Sequence, residues 1–134
     1  QEPIAYIMKE KEFWSKNFLV NPDTLIPRPE TELMVEKLSK IFKKKKISIL
    51  DVGTGSGCIL ISLLSELNNS KGVGIDISKK ALIIAKKNSN RHGMQNRIKF
   101  LNKAIDSEFN HKFDLISVWS NVHSELIITY RIKI

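Results

Sequence analysis

The chain has a single cysteine, Cys58, so neither an internal disulfide nor a cysteine-only metal site can form. Cys58 falls just inside an apolar helix that follows a glycine turn, the setting of a small buried residue rather than a nucleophile. No apolar run approaches the roughly 18 residues that cross a bilayer, and no signal-peptide pattern opens the sequence. No membrane partner is therefore expected, and a cytoplasmic location is. Only four prolines and six glycines interrupt the chain, and 42% of its residues are hydrophobic, which argues against disorder. Acidic residues are scarce: 14 against 22 lysines and arginines give a net charge of +8 and a pI near 9.6. That balance suits RNA or a ribosome-associated factor. The lysines, however, sit on helix faces and in the run Lys43-Lys44-Lys45-Lys46, where a solvated surface accounts for them; the most they imply is a weak nucleic-acid contact. Internal repeats are absent. At 134 residues the chain is one domain at most, and its opening on Gln1 leads us to expect a piece of a longer protein.

What is present is organised around residues 47–60, Ile47-Ser48-Ile49-Leu50-Asp51-Val52-Gly53-Thr54-Gly55-Ser56-Gly57-Cys58-Ile59-Leu60. This stretch reads as an apolar strand ending in an acid, a turn with three alternate glycines, and an apolar helix. Glycines at that spacing let the backbone turn sharply and approach a ligand that a Cβ would repel. The helix N-terminus beyond them presents unpaired N–H groups to polar ligand atoms.

The flanking sequence supplies the context. Tyr6, Ile7, Phe13, Trp14, Phe18, Leu19 and Val20 form two short runs on either side of the charged Lys9-Glu10-Lys11-Glu12, which predicts two short strands forming a hairpin. Asn21-Pro22-Asp23 is a turn. Arg28, held extended between Pro27 and Pro29, leads into a helix reaching about Phe42, with Met34, Leu38, Ile41 and Phe42 on one face. Strands are then expected at 47–51, 72–76, 97–101 and 113–116, and helices at 57–67 and 79–91. Ser78 caps the second of these helices and His92-Gly93 ends it. The alternation predicts an α/β fold, a parallel sheet with helices on its faces. Residues 117–134 break the rhythm and read either as an edge strand or as sequence foreign to the fold.

In a doubly wound sheet, ligands sit beyond the carboxyl ends of the strands, so Asp51, the glycine turn and Asp76 should meet in one crevice. An acid at the end of the second strand can bind both ribose hydroxyls, of NAD or of S-adenosylmethionine alike. The glycines discriminate between them. Gly53, Gly55 and Gly57 are spaced G-x-G-x-G, and Cys58 stands where a dinucleotide fingerprint has its third glycine. No G-x-x-x-x-G-K-[ST] occurs, which excludes a phosphate-cradling P-loop. S-adenosylmethionine has no pyrophosphate and carries a sulfonium and an ammonium, which an acid at Asp51 complements. The expected cofactor site is therefore the crevice formed by Asp51, the glycine turn and Asp76.

Five segments together resemble the HemK-type glutamine methyltransferases that modify peptide-chain release factors. They are Glu2-Pro3-Ile4-Ala5-Tyr6-Ile7, Glu12-Phe13-Trp14, Leu25-Ile26-Pro27-Arg28-Pro29-Glu30-Thr31-Glu32, Ile49 to Gly57, and Gly74-Ile75-Asp76-Ile77-Ser78. The resemblance covers about residues 1–116, and the proline–arginine–proline–glutamate segment is its most specific part. It implies a partial Rossmann-like methyltransferase sheet with helices on both faces, preceded by a β-hairpin. It also implies methyl transfer from S-adenosylmethionine to the glutamine amide nitrogen of a release factor's Gly-Gly-Gln motif, with Gly53, Thr54, Gly55, Ser56, Gly57 and Asp76 contacting the cofactor and no metal required. That amide is a poor nucleophile, so such an enzyme works by orienting it and accepting its N–H bonds. The implied division is 1–28 as hairpin and linker from a helical domain, 29–116 as the cofactor half, and 117–134 as an atypical tail.

Two departures accompany the resemblance. Near Ala104-Ile105 the family has an acid and a large aromatic beside the adenine; here the residues are small or aliphatic, with Asp106 nearby. After the last strand the family has Asn-Pro-Pro-Tyr, whereas this chain has Ser120-Asn121-Val122-His123-Ser124. Asn121 is the candidate for the catalytic asparagine, and His123 is incidental. The missing prolines and tyrosine predict impaired activity. The alternatives are an adenine-N6 or other amino methyltransferase acting on nucleic acid, and a non-catalytic cofactor- or RNA-binding module.

Overall fold

A computed structural model describes residues 9–21, 24, 28–106, 112–120 and 125–130. Strands β1 (Lys9–Phe13) and β2 (Lys16–Val20) pair antiparallel as a hairpin. The charged Lys9-Glu10-Lys11-Glu12 segment, expected to separate two strands, is itself most of β1; its side chains are exposed, and Phe13 is the one buried residue of the strand. The connection is Trp14-Ser15, with φ +54° and +57°. A two-residue hairpin turn of this hand requires left-handed backbone at both positions, which Asn-Gly normally supplies. Trp14 and Ser15 adopt it at about 1–3 kcal/mol each. Outside contacts hold the turn: the Trp14 amide donates to Glu32 Oε2 and its indole Nε1–H donates to Glu66 Oε2, both at 3.0 Å. The Glu-Phe-Trp and Pro-Arg-Pro-Glu segments, distant in sequence, therefore touch through Trp14 and Glu32.

Helix α1 (Glu30–Ile41) has Glu30 and Glu32 in its first turn and Lys40 in its last, matching the helix dipole. Its buried stripe is Thr31, Val35, Leu38 and Phe42. At 3.6 residues per turn that stripe leaves Ile41 at its margin, and Ile41 is 40% exposed rather than core. Then follow β3 (Ser48–Val52), α2 (Cys58–Glu66), β4 (Lys71–Ile75), α3 (Lys79–Arg91), β5 (Ile98–Leu101), β6 (Leu115–Ser120) and β7 (Glu125–Tyr130). The sheet order is β5-β4-β3-β6-β7. The first four strands run parallel, and β7 pairs antiparallel with β6. The α/β alternation read from the sequence is thus the observed fold. β6 extends to Ser120, past the expected end at 116, and residues 125–130 form the edge strand beside it.

The main core joins the hairpin, helices and sheet: Phe13 and Phe18 share it with Val35, Leu38, Leu60, Leu64, Ile49 and Leu115. Helix α3 lies beside Ile98 and Phe100, residues of that same sheet face. The opposite face carries Leu50 and Ile75 with Val52, Val73 and Ile116. Gly72 is where α2 presses closest on the sheet: an added Cβ would lie 2.6 Å from Leu60 Cδ1 and 3.3 Å from Leu64 Cδ1. Both leucines are fully buried, so Gly72→Ala should cost about 1–3 kcal/mol, read as a lower urea midpoint at unchanged slope.

Candidate cofactor-binding site

The glycine turn sits where β3 gives way to α2, at the carboxyl edge of the sheet. Gly53, Gly55 and Gly57 have φ of +71°, +56° and +80°, so all three need the left-handed region. They serve different ends. A Cβ on Gly55 would meet nothing nearer than Gly53 O at 3.9 Å, so this part of the backbone faces open space that a ligand can enter. A Cβ on Gly57 would press on Ala85 and Ile61 at 3.4 Å, so that glycine serves helix packing. The turn is tied to the sheet by Gly53 N–H and Thr54 N–H, which donate to Ile75 O at 2.9 and 3.1 Å. Helix α2 starts at Gly57 with no side-chain cap.

Asp76 follows β4 and reaches back to the turn. Its Oδ2 accepts the Gly55 N–H at 3.0 Å and its Oδ1 accepts the Ser78 N–H at 2.9 Å. A carboxylate offers about four acceptor positions, so about two remain for further donors. Asp76 is only partly buried. Ser78 caps α3 as expected, its Oγ accepting the Ala81 N–H at 3.1 Å.

Asp51 is placed differently. It is 2% exposed, behind the turn, and both carboxylate oxygens are engaged: Thr54 Oγ1 donates to Oδ2 and Ser117 Oγ donates to Oδ1, each at 2.8 Å. Burial pushes its carboxyl up to about 6, the two hydroxyls oppose that rise, and the nearby charge of Asp76 adds to it. Thr54 is buried, and room for its hydroxyl comes from Gly74, where a Cβ would sit 2.9 Å from Thr54 Oγ1 and 2.8 Å from the Phe100 ring. Ser56 is buried too, and it is its backbone carbonyl that is gripped, by Asn88 Nδ2 at 2.8 Å.

The structure therefore gathers Asp51, Gly53, Thr54, Gly55, Ser56, Gly57 and Asp76 at one sheet edge. Asn121 and His123 lie outside the described residues. Ala104, Ile105 and Asp106 are exposed, and Asp106 pairs with Lys103 at 3.1 Å. Cys58 is buried with its thiol pushed up to about 12 by desolvation, as suits an inert packing residue. Sequence reasoning missed Ser117, which it placed in the tail, and Asn88. The signal for Asn88 was available: it continues the apolar stripe Ala81, Ile84 and Ala85 at helical spacing, where a polar residue needs a reason. Among the described residues no cluster of histidine, cysteine and carboxylates could hold a metal, and no helix is long and apolar enough to cross a membrane.

Comparison with known proteins decides among the uses of such a turn. Residues 43–126, which contain all seven residues gathered at this edge, match the family described as methyltransferase domain. The chain belongs to that methyltransferase family. Two curated relatives are both called release factor glutamine methyltransferase. The one from Buchnera aphidicola subsp. Acyrthosiphon pisum is 50% identical over 95 residues, covering 71% of this chain and 34% of that protein. The one from Flavobacterium psychrophilum is 46% identical over 122 residues, covering 87% and 42%. The resemblance read from the sequence motifs is thus borne out, while this chain spans well under half the length of the relatives it matches. Among solved structures, a SAM-dependent methyltransferase from Agrobacterium tumefaciens superposes with a TM-score of 0.66 at 16% identity, over 83% of this chain and 39% of that one. At that identity the likeness speaks for the fold of this methyltransferase chain and nothing finer.

Proposed function

We propose that this methyltransferase chain binds S-adenosylmethionine at the glycine turn and belongs to an enzyme that methylates the glutamine amide of a release factor's Gly-Gly-Gln motif. The observation that carries the reading is Asp76, a carboxylate at the end of β4 braced against the Gly55 amide with acceptor capacity to spare. The donors suit the cofactor. Asp76 would take the ribose hydroxyls, the open face of Gly55 would admit the ligand's body, and buried Asp51 would supply negative charge near its cationic end. When bound, the cofactor supplies an electrophilic methyl group. The chain's own part is to hold it and to keep the turn's amides in place.

The substrate assignment rests on the names of the relatives and on the hairpin and Pro-Arg-Pro-Glu segments that this chain shares with their family. Asn121 is proposed as the residue that meets the target amide, and a cytoplasmic place follows from a translation factor as substrate. The division into hairpin and linker at 1–28, cofactor half at 29–116 and tail at 117–134 belongs to the same proposal. Because Val122-His123-Ser124 stands where the family has Pro-Pro-Tyr, transfer should be slow. Labelled cofactor offered to a mixture of release factor and RNA tests the acceptor: the label that transfers is expected on the release-factor glutamine. Label on RNA would overturn the substrate, and failure to bind S-adenosylhomocysteine would overturn the site.

A further inference from the structure

Asn88 is 0% exposed and stands toward the C-terminal end of α3, yet its amide serves two other elements. Its Oδ1 accepts the Leu19 N–H at 2.7 Å, while its Nδ2 donates to Leu19 O at 2.9 Å and to Ser56 O at 2.8 Å. Leu19 belongs to β2, the hairpin strand that lies against α3, 69 residues away in sequence, and Ser56 lies in the glycine turn, 32 residues away. Both amide hydrogens and the oxygen are used, so the side chain has one orientation in which all three bonds close. Rotating the amide to follow a displaced Leu19 breaks the bond to Ser56.

We infer that Asn88 is a positioning residue that couples the seating of the hairpin to the shape of the cofactor turn. Four other polar contacts seat the hairpin on the helices. The Trp14 amide is held by Glu32 and its indole N–H by Glu66, the His92 ring bonds Asn17 O at 2.8 Å, and Arg91 pairs with Glu10 at 3.1 Å. None of these four touches the glycine turn. Asn88 alone among the hydrogen bonds described links Leu19 to Ser56, so a hairpin loosened elsewhere transmits its motion to Gly55 and Gly57 through this amide. What binds to the hairpin, or to chain joined to it, thereby gains a route to the cofactor loop.

This inference rests on the turn being a cofactor site, and the test separates the two. Amide exchange in the unliganded chain is followed at Leu19, Gly55 and Gly57 for wild type, Asn88→Ala and Glu32→Ala, beside titration with S-adenosylhomocysteine. Glu32→Ala removes the acceptor of the Trp14 amide and so loosens the hairpin turn without touching Asn88 or the glycines. Coupling predicts that both variants speed exchange at Gly55 and Gly57 and weaken S-adenosylhomocysteine binding, by about tenfold in Asn88→Ala. A change confined to the hairpin amides, with the turn amides and affinity at wild-type values, overturns it. Should Asn88→Ala fail to fold, Glu32→Ala decides alone. If wild type does not bind S-adenosylhomocysteine, the functional reading falls while the exchange data still decide the coupling.

Discussion

Replacing Asp76 with alanine should weaken S-adenosylhomocysteine binding by a hundredfold or more. Two effects act together. The carboxylate's remaining acceptor positions are lost to the ribose, and hydrogen bonds to a charged group contribute about 1.5–3 kcal/mol each. The Gly55 and Ser78 amides also lose the oxygens that hold them at 3.0 and 2.9 Å, so the turn must reorganise before any ligand binds. Calorimetric titration reads the loss directly. The same variant divides the competing functions: a basic surface that binds RNA through lysines does not depend on Asp76, so RNA affinity should be untouched. Undiminished S-adenosylhomocysteine binding in Asp76→Ala would remove this residue from the site.

Asp51→Asn should act in opposite directions on stability and on binding. The folded-state carboxyl titrates at about 6 against an ordinary value of 3.8. Below about pH 4 both states are protonated and Asp51 imposes no penalty. Between 4 and 6 the unfolded chain ionises first, so stability falls as pH rises, and above 6 the penalty is complete. Its size is about 3 kcal/mol at neutral pH. Asparagine is spared it, because its oxygen accepts from one of the Thr54 and Ser117 hydroxyls while its N–H donates to the other. The unliganded variant should therefore melt several degrees higher at pH 7.5, with the pH dependence between 4 and 6 flattened. Binding of the cationic cofactor should weaken at the same time, and in wild type it should weaken as pH drops below 6. A variant that melts no higher than wild type at neutral pH would mean that Asp51 is better solvated than its burial implies.

Burying a charge that costs stability makes sense if the charge is used, and this bears on what the sequence could reveal. The glycine spacing and the two acids were legible because left-handed φ and carboxylates at strand ends leave compositional traces at fixed offsets. Ser78 was legible for the same reason: a cap must stand at one position relative to its helix. The hairpin was only half legible. Its turn uses Trp14-Ser15 in place of Asn-Gly, so the local chemistry gave no sign, and the charged β1 matched no apolar alternation. The turn exists because Glu32 and Glu66 hold it from 18 and 52 residues away. Ser117 was hidden because its role is set by register, opposite Asp51 across β3 and β6. Asn88 gave a trace, a polar residue on an apolar stripe, but its partners are set by tertiary packing alone.

Titration of this chain with S-adenosylhomocysteine and, separately, with NAD decides whether the Gly53–Gly57 turn and Asp76 form a site for S-adenosylmethionine or for a dinucleotide. Saturable heat is expected with S-adenosylhomocysteine, lost in Asp76→Ala, and none with NAD. Saturable binding of NAD, or binding of neither ligand by a chain shown to be folded, would mean that the turn is not an S-adenosylmethionine site.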